Sequence, residues 1–490
     1  MLSNRRNTVL KVSIVINVAV LLYATLQLTS TGAPGEDWAP TGEALGAGAG
    51  AGAGRELLRD ATPLETTPRT PPPTTPRSNA STAPTLDPDK RPSVPSEPEE
   101  DELDQVDQNA LSEKTLTKLR NLLLCHDRDF VPATTQRGDY WVLQNYVRAE
   151  HGPVACHEAV TYTTHAGYEY LDNVKPLVER WMAPVSIAVH APGADLAPAV
   201  DGIRYLRDCT GDDLIRQYVT FHIFFSYKHI PSQIPDPEVF LGNQFNCSLK
   251  PPYETSANTS TYMKSHNMLY PVNVARNIAR DASLTHFLLP ADIELYPSPN
   301  LVPRFLNMIA RNAPPLNNTN PRVFVISIFE VDAKFKAPTT KTQLKAMLAN
   351  NSVIPFHKFV CKNCHAIPQG DQWVKAAETG QMDVFHVGKR RGKYVHWEPI
   401  FIGTHRDPLY DERLSWDGMK DKMTQGYVLC VKDYDFMILN NAFLCHKPGI
   451  KKFVKNAKRD LIVGRQNKYV KKIIMPELRK LYGSRAGCTL

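Results

Sequence analysis

The feature that most constrains the fold is a stretch that cannot fold. From about Thr29 to Leu111 the chain carries an alternating Gly/Ala run (Gly46–Gly54), a Pro/Thr-rich run (Thr66–Pro88) and an acidic patch (Glu97–Asp107). Such a composition has too little apolar surface to offset the conformational entropy lost on folding. It reads as a flexible, extended spacer, with the Ser/Thr/Pro part resembling an O-glycosylated stalk. Any packed core must therefore come from residues 116–490.

The segment before the spacer has a different character. Val12–Leu28 is almost wholly apolar, Arg5, Arg6 and Lys11 precede it, and no acidic residue occurs before Glu36. Positive flanks stay on the cytosolic side, so the expected layout is a cytosolic tail (1–11), a single membrane anchor (12–28), a disordered stem (29–115) and a luminal domain (116–490). A signal peptide cleaved near Ser30–Ala33 is the alternative, but the apolar run is longer than usual for one. Its shortness as a span suits the thinner membranes of the early secretory pathway. Sequons at Asn79, Asn246, Asn258, Asn317 and Asn350 agree with a luminal location. A net charge of +7 over 490 residues is too small to indicate a nucleic-acid partner. The nine cysteines suit a secretory-pathway enzyme with a few bridges and a leftover thiol.

Within 116–490, short apolar runs alternate with helical patterns. Pro184–His190, Tyr218–Phe225, Phe287–Leu289, Arg322–Phe329 and the run from Tyr434 read as strands. Pro271–Arg280 reads as a helix with proline in its first turn. The alternation predicts an α/β fold around a mixed, mainly parallel sheet. Along that helix Arg276 and Arg280 share a face, so they either reach a bound diphosphate or sit on the surface.

The chemistry concentrates where Phe287–Leu289 ends, at Asp292-Ile-Glu294, before the breaker Pro297-Ser-Pro299. In an extended segment these two carboxylates share one face, at the strand end where open α/β sheets bind ligands. That pair suits a hard divalent cation gripping a nucleotide diphosphate. A second strand ends in Cys445-His-Lys-Pro-Gly449, so His446 could complete the metal site and Lys447 lie beside the phosphates. Cys361-Lys-Asn-Cys364 lacks the second pair that a zinc site needs, and separate structural disulfides are expected for its cysteines. Trp397-Glu398 and Asp411–Trp416 carry the aromatic rings and carboxylates of a sugar site, or of a loop pinned by tryptophan and ion pairs.

Arg180-Trp181, Tyr270–Asn277, Asp292–Glu294, Cys361–Cys364, Trp397–Pro399, Asp411–Arg413 and Asp435–Lys447 occur in an order that resembles glycosyltransferase family 49. The resemblance implies a GT-A-type fold and manganese-dependent, inverting transfer of glucuronate from UDP-glucuronate to a glycan acceptor of a glycoprotein. It implies a type II Golgi membrane enzyme, a place in a complex of Golgi glycosyltransferases, and an acceptor of the xylose-terminated O-mannosyl type. By carry-over Asp292, Glu294 and His446 hold the metal. The donor is expected against His190, Arg276, Asn277 and Lys447, with Arg413 pairing its carboxylate. The base is expected to be Glu398 or Asp411, with Asp417 third. The family's usual triplet is Asp-x-Asp, so Glu294 is a departure that keeps charge and ligand type. Two alternatives stand beside this reading: another UDP-sugar donor (N-acetylglucosamine or xylose), or an inactive glycan-binding relative.

Overall fold

The computed structural model describes residues 111–129, 131–255 and 260–490. The expected tail, membrane span and stem up to residue 110 lie outside them, as do Asn79 and Asn258. Among the described residues no helix is long and apolar enough to cross a membrane.

Twelve strands form one sheet: β1 (Ala133–Arg137), β2 (Tyr140–Val147), β3 (Val160–Ala166), β4 (Val185–His190), β5 (Val219–Ser226), β6 (Phe287–Pro290), β7 (Leu295–Pro297), β8 (Arg322–Val331), β9 (Val353–Pro355), β10 (Val384–Gly388), β11 (Ile400–Thr404) and β12 (Asp435–His446). Their spatial order is β1-β2-β5-β4-β3-β6-β11-β8-β12-β10, with β7 on β12 and β9 on β8. The sheet is mixed. β5, β4, β3 and β6 form a parallel block, and β8 runs parallel to β12. The remaining pairings are antiparallel, including β6–β11 and β11–β8, which join the two halves.

Both faces of the sheet are covered. Val185, Ile187 and Val189 of β4 join the core formed with helices α1 (Glu113–Leu123), α2 (Val174–Trp181), α3 (Leu196–Asp208) and, later in the chain, α5 (Leu301–Arg311). Ala188 points the other way, onto Val274, Ala275, Ile278 and Ala279 of α4 (Val272–Asp281). A strand buried on both sides needs no polar alternation, which is why β4 reads as a continuous apolar run.

β8 and β12 show what a single irregularity does. Phe324, Ile326 and Ile328 face the main core, whereas Val323, Val325, Phe329 and Val331 face a second one around Trp373 and Trp397. In β12, Met437 and Leu439 face the main core, but after the bulge Ala442 and Leu444 do. The register confirms the change. Ile438 pairs with Val325 (offset 113) and Phe443 with Ser327 (offset 116), so β12 holds three extra residues. An odd insertion exchanges the two faces of a strand. The bulge thus puts His446 on the main-core side, opposite Glu330 of β8.

All nine cysteines are described. They form bridges Cys125–Cys156, Cys209–Cys247, Cys361–Cys364 and Cys430–Cys488, with Cys445 free and buried. The close pair is therefore bonded to itself, and not split between separate bridges as expected. A single turn, in which the Cys364 N–H donates to the Cys361 carbonyl (3.1 Å), brings the two Cα atoms to 5.5 Å, and alternation along the sequence does not reveal such a bend.

Phe305 of α5 stands edge-on to Phe287 of β6 and Phe324 of β8, with ring centroids 5.0 Å apart in each case, and is fully buried. Phe305→Ala removes the ring that joins both halves of the sheet. We expect a loss of ~3–5 kcal/mol, read as a lower denaturant midpoint at unchanged slope. A loss below 1 kcal/mol would contradict this packing.

Candidate active site

β6 stops at Pro290 and the acidic triplet lies in a turn. The Leu295 N–H donates to the Asp292 carbonyl (2.9 Å), and the Tyr162 hydroxyl donates to the Asp292 and Leu295 carbonyls (3.0 and 2.8 Å). The extended segment expected from alternation is thus replaced by a turn, because Pro290 closes the ladder and Tyr162 of β3 supplies the partner for the turned backbone. The carboxylates consequently meet different neighbours.

Asp292 faces two cations and an imidazole. Arg276 approaches Oδ1 at 3.0 Å, Lys422 Oδ2 at 3.4 Å and His165 Oδ1 at 3.5 Å. Burial pushes the Asp292 carboxyl up, but Lys422, His165 and Arg276 together outweigh it and hold it well below the usual carboxylate range. Glu294 lies with Oε2 3.1 Å from Nε2 of His446 and 3.3 Å from the Lys451 ammonium. The contact with His446, aided by Lys451, lowers its pKa to about 2 against burial. Both acids are ionised.

The ring of His446 is oriented from behind. Its Nδ1 lies 2.7 Å from the Lys447 carbonyl, which can only accept, so Nδ1 donates and Nε2 is the nitrogen presented to Glu294. The Lys447 N–H in turn donates to the Glu294 carbonyl (2.7 Å). Two acids and an imidazole whose Nδ1 is fixed by a backbone carbonyl and whose Nε2 meets Glu294 are a donor set that fits a divalent cation of the manganese type. Glu294 and His446 are already together. Asp292 is turned towards its cations, and among the described residues the three ligand atoms do not all lie within 4.8 Å of one another.

The residues expected around the donor separate into two groups. Arg276 is at the site, but as a buried anchor: it pairs with Asp292 and Asp421 and lies 5.3 Å over the Tyr410 ring. His190 ends β4, is 2% exposed and packs against Phe224 and Tyr270, and neither ring nitrogen has a partner. Burial pushes its pKa down to about 3. Asn277 is engaged by the chain itself. Its amide holds the Tyr410 carbonyl (2.8 Å), Glu412 (2.7 Å) and, through its oxygen, the Tyr410 N–H (3.1 Å). Lys447 pairs with Asp172 instead of standing free for phosphate.

The polar stripe of α4, comprising Asn273, Arg276, Asn277 and Arg280, is buried and does not lie on the surface. It pins the loop 404–421: Asn273 binds the Asp411 and Asp421 carbonyls (2.8 and 2.9 Å), and Arg280 those of Asp407 and Pro408 (3.1 and 3.0 Å).

The carboxylates expected as the base differ in their partners. Both oxygens of Asp411 are taken by Arg413 (2.9 and 2.7 Å), which also holds Glu477 (2.7 Å). Asp417 accepts from the Tyr270 N–H (3.0 Å). Asp411, Arg413 and Asp417 thus fold the loop, and fully buried Trp397 belongs to the second core. Glu398 differs: among the described residues nothing donates to its carboxylate. Burial and Asp421 raise its pKa, while Lys422 and Arg276, the cations of Asp292, act on it in the opposite sense. Glu398 thus feels two of the cations that hold Asp292, and its carboxylate is free to accept a proton.

Sequence inspection missed Lys422, Lys451, His165 and Asp421. Lys451 was visible only as part of a basic tail. The other three follow from loop and strand placement and leave no local signal.

An acidic turn at the carboxyl edge of a parallel block, with an imidazole from a neighbouring strand and a free carboxylic acid nearby, is the arrangement of a glycosyltransferase. Residues 159–483 match the model of glycosyltransferase family 49, described as a glycosyl-transferase for dystroglycan, and the chain belongs to that family. It is 29% identical to beta-1,4-glucuronyltransferase 1 of Danio rerio over 327 residues, 63% of this chain and 72% of that protein. It is 25% identical to the protein of that name from Homo sapiens, over 70% of this chain and 80% of that one. It is 22% identical to the human xylosyl- and glucuronyltransferase LARGE1, over 70% of this chain but 37% of that protein.

In the metal-free protein, Glu294's lowered pKa contributes stability that is present above its ordinary value of 4.5 and lost as pH falls towards about 2. His446→Ala removes the largest cause of that lowering. Denaturant titrations in chelator should show a stability gap between wild type and variant that is widest above pH 4.5 and closes by about pH 2. A gap independent of pH would contradict the pairing.

Proposed function

We propose that this chain transfers glucuronate from UDP-glucuronate to a xylose-terminated glycan acceptor, of the O-mannosyl type, with inversion and with manganese. The observation that carries the reading is the Glu294–His446 contact beside the acidic turn. The names of the most similar relatives support the donor. Glu294, His446 and Asp292 would hold the ion, which supplies Lewis-acid neutralisation of the departing diphosphate. The Glu294 side chain is one methylene longer than the family's aspartate, and His446 meets it at 3.1 Å, so the substitution preserves a ligand pair.

The chain's own residues have separable tasks. Lys422, paired here with Asp292, and Lys451, paired here with Glu294, would turn to a donor that carries diphosphate and carboxylate charges once the ion takes those acids. Arg276 holds Asp292 and the loop in place. Glu398 takes the acceptor hydroxyl's proton as that oxygen bonds the anomeric carbon and the bond to the diphosphate breaks. Lacking a hydrogen-bond donor of its own, it suits this role better than Asp411. The four disulfides agree with an oxidising compartment. Together with the apolar segment 12–28 they support a type II Golgi membrane location, with the domain luminal.

Incubating the full-length chain with a β-xyloside acceptor and UDP-glucuronate, UDP-xylose or UDP-N-acetylglucosamine tests the donor. Only the first should support transfer, and both chelator and Asp292→Asn should abolish it. A different preferred donor, or transfer that survives chelation, would overturn the corresponding part. Because the pKa of Glu398 is raised, kcat/KM should fall with decreasing pH on a limb above the ordinary 4.5 of a glutamate. Glu398→Gln should cost ~10²–10⁴-fold in kcat, with Asp411→Asn acting mainly on stability. The reverse pattern would make Asp411 the base.

A further inference from the structure

The Cys361–Cys364 bridge differs from the other three in what it encloses. Those span 31, 38 and 58 residues, whereas this one spans three. Constraint of the unfolded chain grows with loop length, so this bridge contributes least to global stability by that route. Its effect must be sought in local shape.

The local shape bears on one residue. The carbonyl of Cys364 accepts the N–H of Glu398 (2.8 Å), and Nδ1 of His365 lies 2.8 Å from the Glu398 carbonyl. A carbonyl only accepts, so Nδ1–H donates. Two adjacent residues thus take both backbone polar groups of Glu398, one on each side of its Cα, although they are more than thirty positions away in sequence.

The other end of this loop is tied to the metal side of the site. Glu330, fully buried on β8 and paired in register with His446, accepts the His357 N–H (3.1 Å). The Cys361 N–H donates to the His357 carbonyl (2.8 Å). The Phe356 ring stacks on His357 at 3.8 Å and lies 5.0 Å from His365 and 5.9 Å from His446. Residues 356–365 are a strut from the His446 neighbourhood to Glu398.

We propose that the Cys361–Cys364 disulfide and His365 are positioning residues that hold Glu398 where it can take the acceptor's proton. This rests on the assignment of Glu398 as the base. Its charged surroundings are shared with Asp421, Lys422, Arg390 and Arg276, so a small displacement of its backbone moves the carboxylate relative to that whole cluster. Misplacement by about 1 Å can cost on the order of 10²-fold in rate.

The test compares Cys361→Ser/Cys364→Ser, His365→Ala, His365→Gln and Glu398→Gln in the full-length chain, with UDP-glucuronate, manganese and a β-xyloside. The double serine variant should lose on the order of 10²-fold in kcat, with Tm and manganese-dependent UDP binding unchanged. His365→Gln, whose amide can still donate to the Glu398 carbonyl, should recover most of what His365→Ala loses. Added to Glu398→Gln, the serine pair should lower kcat no further. Full activity of both the serine pair and His365→Ala, while Glu398→Gln is inactive, overturns the positioning role and leaves the base assignment standing. A further loss in the Glu398→Gln background also overturns it, since the strut would then act elsewhere. An active Glu398→Gln enzyme refutes the base assignment itself. If the serine pair does not fold, the two His365 variants decide alone.

Discussion

A guanidinium buried beneath the sheet holds the site together. Arg276 reaches Asp292 on the turn after β6 and Asp421 on the loop 404–421, with the Tyr410 ring against it. Burying one cation between two acids is tolerable only because all three are satisfied together, and breaking such an arrangement typically costs ~3–5 kcal/mol. The wall of the site and its acidic turn are therefore not independent. Asn273, Asn277 and Arg280 extend the same attachment along α4, so the loop is held by a helix whose every residue from Val272 to Arg280 is buried.

The imidazole arrives by a different route. Three extra residues in β12 exchange its faces before the strand ends, which brings His446 to the side where Glu294 stands. Sheet bulges often re-aim side chains next to active sites. Here the consequence is specific: without the bulge, the residue at this position would face the Trp373 and Trp397 core. Turn, bulge and helix stripe each supply one part of the site from a distant segment.

How much of this was legible in the sequence depends on the range of the interaction. The strands β4, β5, β6, β8 and β12 and helix α4 were readable within one or two residues, because burial on both faces leaves continuous apolar runs. The meeting of His446 with the acidic triplet could be anticipated because strand ends and short acidic motifs are local. What was not legible was where polar side chains go. Arg276 and Asn277 carry the residue types of ligand-binding positions yet bind the chain itself, and Asp411, Arg413 and Lys447 are consumed by ion pairs that no local pattern signals. Lys422 has no motif at all, and only the packing of the loop on α4 brings it to Asp292. The self-bonded Cys361–Cys364 pair was equally hidden, since its partner choice depends on a bend in the loop.

The most direct test of the central claim is crystallography of the protein with manganese and UDP, locating the ion by its anomalous scattering. One ion is expected, ligated by Glu294 and by Nε2 of His446, with Asp292 drawn away from Lys422 to join them and the diphosphate on the open side. An ion bound elsewhere, or UDP bound at this edge with His446 still paired only to Glu294 and no ion between them, would contradict it.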